Sequence, residues 1–404
     1  MTPSFATSPV QENPVRTPRG THRAVLAGLP FLIAPLWACS AGSDASGGAP
    51  IDAAEDAAPS PGGDAAADRA SWSVPECTIV VGAPVTFTRD DGRTLAKIEP
   101  ALSGTTYTTS VIALEEPNQL LAAKDSALYR SGDSGCHWTS LGQVAGDFIQ
   151  LVPGAGDRAY GYSPHLPDVL VVTDNGAAYV PGPGADVRGL AARPDAPGTL
   201  RLVDAEGSVY ASEDDGGTWT WLGAAPGVTE GSVQAAAFGG AALDRVVIAV
   251  WGGVSTSIDG GRQWRRATGL SRTSANIFSV AISPADEQIV WVQGIDLAAE
   301  GAPDGRHIWI SRDGGLHFEV VVTASADVTL TNGVPMLAHS TDPDILYFTW
   351  GTAFQGIGAK LYKVSAQRKS VTYTTNPYSR IMALTASPAD ASLLYLGLSN
   401  EQLD

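Results

Sequence analysis

"SEDDGGTW", Ser212 to Trp219, is a short stretch whose pattern returns along the chain. "SGDSGCHW" starts at Ser131, "SIDGGRQW" at Ser257 and "SRDGGLHF" at Ser311, and all four fit Ser-x-Asp-x-Gly-x-x-aromatic. Looser copies are "TRDDGRTL" from Thr88 and "VTDNGAAY" from Val172. The aspartates are Asp90, Asp133, Asp174, Asp214, Asp259 and Asp313, at intervals of 43, 41, 40, 45 and 54 residues. Another such interval leads to "SAQRKSVTY" from Ser365, which keeps the spacing without the acid or the glycine. Self-similarity at this period is the mark of a propeller or a related repeat array.

The residue types suit a hairpin turn. Asp133, Asp214, Asp259 and Asp313, with Ser131, Ser212, Ser257 and Ser311, can accept backbone N–H groups that the turn leaves unpaired. Gly135, Gly216, Gly261 and Gly315 supply positive φ. Trp138, Trp219, Trp264 and Phe318 then pack their rings against neighbouring strands. All sixteen are read as structural residues.

The pattern resembles the Asp-box, or bacterial neuraminidase repeat. That repeat occurs in sialidases, sortilin-type receptors, xyloglucan-degrading glycosidases and photosystem II assembly factors. The resemblance covers about Cys77 to Asp404 and implies an all-β propeller of four-stranded antiparallel blades. Strand-like runs flank the copies, such as "GSVYAS", "RVVIAVW", "HIWIS" and "FEVVVT". A second recurring element, "SPADEQIVWVQ", "STDPDILYFTW" and "SPADASLLYLG", reads as a turn followed by the second strand of a blade. The last copy ends after half a blade and the first lacks its preceding half. One shared blade would therefore close the ring without an open edge. The expected count is seven blades, with six or eight if a degenerate copy is miscounted.

Residues 1–38 read as an export signal. Arg16, Arg19 and Arg23 precede the apolar run "AVLAGLPFLIAPL", which is too short to span a membrane. "LWAC", Leu36 to Cys39, resembles a bacterial lipobox, which implies lipidation at Cys39; the alternative is an ordinary cleaved signal nearby. Residues 39–70, rich in Ala, Gly, Asp, Ser and Pro, cannot bury enough apolar surface to fold and read as a disordered tether. The propeller is then residues 71–404. Cys77 and Cys136 are the two cysteines within residues 71–404, and in an exported chain an even pair favours a disulfide over a metal site or free thiols.

A hydrophobic content of 44% suffices for a core, and a formal charge of −17 disfavours nucleic acid as a partner. "GDSG" around Ser134 looks like the nucleophile motif of trypsin-like proteases. The only upstream histidine is His22, in the leader, and the other copies replace Ser134 with Asp215, Gly260 and Gly314. No catalytic residue is assigned. His137, His165, His307, His317 and His339 are scattered, so no metal or cofactor is expected. A sialidase would need an Arg-Ile-Pro motif, which is missing.

Blade topology puts second turns and blade-to-blade connections on the face opposite the boxes. Two second turns are enlarged, Gly294 to Arg306 and Gly351 to Lys360. Asp296, Glu300, Asp304, Arg306, Trp350 and Phe354 are therefore the candidate binding face, with solvated insertions as the plainer reading. The expected protein is a monomeric, lipid-anchored, non-catalytic binding or scaffold module at the outer membrane or cell surface. Its partner would be an envelope protein or a glycan. It would be secreted if the lipobox reading fails. The alternative is a secreted glycoside hydrolase or lyase acting on a neutral polysaccharide.

Overall fold

A computed structural model describes residues 72–229, 231–271, 275–297, 305–331, 333, 335–350 and 358–400. Among these residues there are strands and turns but no α-helix, hence no helix long and apolar enough to cross a membrane. Cys39, Glu300, Asp304 and Phe354 lie outside the described residues.

Five sheets are antiparallel four-stranded meanders. The first holds β8 (Gln150–Pro153), β9 (Ala159–Tyr162), β10 (Val169–Thr173) and β11 (Gly176–Val180). The next holds β12 (Val187–Ala192), β13 (Leu200–Asp204), β14 (Ser208–Ser212) and β15 (Thr220–Ala224). The third comprises β16 (Val233–Gly239), β17 (Arg245–Val250), β18 (Gly253–Ser257) and β19 (Arg265–Arg266). Then come β20 (Ala275–Ile282), β21 (Val290–Asp296), β22 (Arg306–Ser311) and β23 (Phe318–Thr323). The fifth is β24 (Met336–Ala338), β25 (Ile345–Trp350), β26 (Ala359–Ser365) and β27 (Ser370–Asn376). This is a β-propeller, built by repeating one meander.

A larger sheet joins the two ends of the described chain. From the N-terminal side comes β2 (Val85–Thr88), flanked in sequence by β1 (Ile79–Val81) and β3 (Lys97–Glu99), which form a two-stranded sheet of their own. The meander β4 (Thr106–Ala113), β5 (Leu120–Lys124), β6 (Ala127–Ser131) and β7 (Thr139–Gln143) follows. The C-terminal pair is β28 (Arg380–Ala386) and β29 (Leu394–Asn400). β2 pairs with β29 from Val85↔Gly397 to Thr88↔Leu394, and β29 touches β4 at Ser399↔Tyr107. β3 lies beside β2, where Ala96 N donates to Phe87 O at 3.1 Å, and β1 pairs with β3 in parallel.

The core is divided among the spaces between successive sheets, because each strand alternates its side chains between two sheet faces. Ile112, Leu121 and Leu128 meet Ile149, Leu170 and Val172. Trp291 and Ile308 meet Leu346, Phe348 and Tyr362. The joining sheet takes part on both sides. Tyr347 and Leu361 pack on Leu394, Leu396 and Leu398, while Val85, Phe87 and Tyr395 pack on Val111, Leu120 and Ala122.

Cys77 and Cys136 form a disulfide, with Cα atoms 5.9 Å apart. It fastens the segment before β1 to the turn between β6 and β7. Val81 N donates to Cys136 O at 2.9 Å and Trp138 N to Val81 O at 2.8 Å, so the same junction is also zipped by backbone.

Candidate functional site

Each of the four good repeat copies makes the same turn. Ser212 Oγ donates to Asp214 Oδ1 at 2.8 Å, Gly216 N donates to Ser212 Oγ at 2.9 Å, and Thr218 N donates to Asp214 Oδ1 at 2.8 Å. The equivalent Ser-to-Asp bonds measure 2.9 Å at Ser131–Asp133, 2.8 Å at Ser257–Asp259 and 2.7 Å at Ser311–Asp313. Gly135, Gly261 and Gly315 each donate to the box serine, at 2.8–2.9 Å. Gly216 sits at φ +85°, where a side chain would be strained. The looser copy at Thr88 makes the same turn, with Thr88 donating to Asp90 at 3.0 Å.

These contacts fix the charge state of the box acids. The Thr218 N–H, with the hydroxyls of Ser212 and Thr218, holds the Asp214 carboxyl below its ordinary value. At Asp259 the Gln263 N–H leads the same effect. Burial pulls Asp133, Asp313 and Asp90 upward, and their hydrogen bonds outweigh it, so these three also lie low. All five are committed to holding turns.

The copy at Val172 differs. Thr173 faces Gly176 across a tight two-residue hairpin, and Asp174 reaches Arg130 of the preceding meander at 2.8 Å. The aromatic positions also divide. Trp138 and Phe318 are buried, whereas Trp219 and Trp264 are half-buried at the edges of inter-sheet clusters.

At four of the copies the position after the box aspartate varies in sequence and has a shared task in the structure, while Gly260 donates to Asp244 O within its own sheet. Ser134, Asp215, Gly314 and Asp91 all adopt left-handed φ, from +56° to +72°. Each accepts bonds from a strand outside its own meander. Tyr395 Oη donates to Ser134 O at 2.8 Å. Arg158 Nη1 and Tyr160 Oη each lie 2.5 Å from an Asp215 carboxylate oxygen. Thr256 Oγ1 donates to Gly314 O at 3.0 Å. Tyr347 Oη and Lys363 Nζ reach Asp91 Oδ1 at 2.7 and 3.0 Å. Ser134, the serine of "GDSG", is 1% exposed and donates to Ser73 O at 2.7 Å, so it pins the N-terminal segment. It has no histidine partner among its bonds.

The place open to a ligand is a central cavity of about 580 Å³. It is lined by the first strand of every meander, β4, β8, β12, β16, β20 and β24, together with β28. Five of these strands carry a bulge near their start. Pairing skips Thr109, Arg188, Gln234, Phe278 and Met382, and all five line the cavity. A bulge re-aims the side chain it frees. Among the described lining residues Arg188 and Arg380 are the charged ones, and no carboxylate is present. Burial pushes the Tyr162 phenol up to about 12, with Arg188 opposing, so the hydroxyl is neutral at physiological pH.

On the face at the strand starts, where Phe148 also lines the cavity, three large apolar side chains are exposed. Phe148 (43%) precedes β8, Trp251 (59%) follows β17, and Leu297 (69%) follows β21. They share this face because the end of each second strand pairs with the start of the first, as in Val250↔Val233 and Asp296↔Ala275. Asp296 and Arg306 come together in one hairpin, where Asp296 N donates to Gly305 O at 2.8 Å and Ile295 pairs with Arg306. Trp350 belongs to the next sheet, opposite Lys360, whose Nζ is 5.7 Å from its ring centre. The sequence did not point to Phe148, Trp251 or Leu297. Exposed apolar residues at turns with ordinary spacing leave no pattern.

Among the described residues no group of three or more His, Cys, Asp or Glu side chains is arranged to hold a metal ion. No family model matches the sequence. The chain is 36% identical over 348 residues to the dispase autolysis-inducing protein of Streptomyces mobaraensis, covering 84% of this chain and 93% of that one. A structure of YCF48 bound to D1 peptide superposes with a TM-score of 0.51 at 14% identity, over 81% of this chain and 100% of that one. The GH74 xyloglucanase from Xanthomonas campestris gives a TM-score of 0.53 at 18% identity, over 74% of this chain and 51% of the enzyme. At such identities the two structures report the fold alone.

Proposed function

Because the chain belongs to the family of the dispase autolysis-inducing protein, we propose that it is a binding module whose second-turn face docks a protein, a protease in the first place. The observation that carries this reading is the rim of Phe148, Trp251 and Leu297, three exposed apolar side chains on one face of a rigid scaffold. Interfaces centre on such residues, aromatic ones above all. The relative's name ties it to the autolysis of dispase, and a protease partner follows from that name. The solved YCF48 complex with a peptide shows a propeller of this general fold receiving a protein ligand. A non-catalytic role is favoured by the carboxylates that are described in detail, which are occupied in box turns and inter-sheet contacts.

The finer architecture we propose is seven blades. The five four-stranded sheets count as five, the β4–β7 meander as a sixth, and β28, β29, β2 and β3 as a seventh shared by both ends. Seven inter-sheet clusters, one per gap, support that count. We further propose that residues 1–38 direct export, that Cys39 carries a lipid, and that residues 39–70 tether the propeller at the cell envelope. Asp296, Arg306 and Trp350 would flank the docking face, together with Glu300, Asp304 and Phe354.

The test is incubation of the purified domain with dispase, following intact protease on gels and complex formation by surface plasmon resonance. Trp251→Ala with Leu297→Ala should weaken binding by about tenfold or more, as loss of central apolar anchors does. Ile258→Ala, an exposed residue on the box face, should leave it unchanged. Equal binding by the rim variant, or loss caused by Ile258→Ala alone, would sink the assignment of the face.

A further inference from the structure

We propose that the central cavity is a second, separate site, which binds a small organic polyanion of the di- or tricarboxylate class through Arg188 and Arg380. The docking reading concerns the rim and does not require this. Four observations lead here. First, a cavity of about 580 Å³ lies within the range that holds small molecules. Second, in a chain of net charge −17, the charged side chains among its described lining residues are both arginines.

Third, the backbone is shaped to present one of them. Arg188 occupies the bulge between Val187 and Gly189, and its Nη1 donates to Pro164 O at 2.9 Å, which orients the guanidinium. Asp186 lies 3.7 Å from Nη2 but does not line the cavity. Fourth, Arg380, the first residue of β28, makes no ion pair among the described residues. β12 and β28 belong to different sheets and both arginines line the one cavity, so a ligand with more than one anionic group can engage both.

The remaining wall suits such an occupant. The Gln234 side chain, freed by its own bulge, offers an amide, and Tyr162 adds a neutral phenol. Phe278, Met336 and Met382 supply apolar surface, which lowers the local dielectric and strengthens guanidinium–carboxylate pairing. Arginine forks pair with carboxylates through two parallel N–H donors, and a ligand carrying two or three carboxylates can occupy both guanidinium groups at once.

Isothermal titration of the full chain with citrate at low ionic strength tests this, with acetate and a short Asp/Glu-rich peptide as parallel arms. One citrate per chain is expected, weakened by added salt, with acetate about tenfold poorer. Arg188→Gln and Arg380→Gln should each weaken citrate by about tenfold, and Arg380→Lys should recover part of the loss. Melting curves without ligand check that the variants fold, and Trp251→Ala should leave citrate binding intact even if it abolishes protein docking. No saturable citrate binding to the folded chain would overturn the proposal. So would unchanged binding in the double arginine variant, or binding of the peptide without citrate.

Discussion

Removing the Asp215 side chain tests whether the residue after a box aspartate locks one blade to the one before. Asp215→Gly is the suitable change, because glycine accepts the left-handed backbone at φ +58° without strain. The Tyr160 ring is 1% exposed, and its hydroxyl would lose its charged acceptor, at a cost of about 1–3 kcal/mol for an orphaned buried donor. The Arg158–Asp215 pair is about a third exposed on both sides, so solvent screening limits its share to about 0.5–1 kcal/mol. The sum is a loss of about 1.5–4 kcal/mol in urea unfolding. Tyr160→Phe removes only the donor and should cost about 1–2 kcal/mol. The double variant should lose less than the sum by about 1–2 kcal/mol, since both changes delete one bond. A second readout is spectroscopic. Burial first, and then the Asp215 carboxylate, push the Tyr160 phenol up to about 12, and Asp215→Gly should bring it down. Strict additivity of the two changes, with the tyrosine titration unmoved, would refute the latch.

Two further outcomes follow from the same turns and from the bridge. The sequence separation of 59 between Cys77 and Cys136 gives, by loop-closure entropy, about 4 kcal/mol of stabilisation. Cys77→Ser with Cys136→Ser should therefore shift the urea midpoint downward, and an unshifted midpoint would mean that backbone pairing alone holds the segment. Asp90, Asp133, Asp214, Asp259 and Asp313 all have folded carboxyl groups that ionise below the ordinary value of 3.8. The unfolded chain binds more protons in that range, so stability is present above it and falls as pH drops through about 4 and lower. A flat urea midpoint across that acid range would contradict the assignment.

The box turns were legible because their geometry admits few side chains. A hydroxyl, a carboxylate and a glycine at fixed spacing each satisfy one backbone demand at Ser212, Asp214 and Gly216. The latch position was not legible, since a carbonyl at Gly314, a carboxylate at Asp215 and a carbonyl at Ser134 all serve. Any residue type tolerating left-handed φ can fill it. The cavity ring was hidden for another reason. Thr109, Arg188, Gln234, Phe278 and Met382 are united by a slip in strand register, and register is a property of two strands together. Asp174 shows the converse: a fair match in sequence became a tight hairpin once its serine was replaced by Val172.

The bridge between Cys77 and Cys136 also decides how the domain bears tension. A pull arriving along the segment before Cys77 passes through the sulfurs to the turn between β6 and β7. The four-residue seam of β2 on β29 lies behind that point and is spared the load. Hydrogen bonds at such a seam could otherwise peel in succession, each loosening the next. With the bridge intact the propeller hangs from its first complete meander; with the bridge reduced, the same pull falls on the seam that joins its two ends.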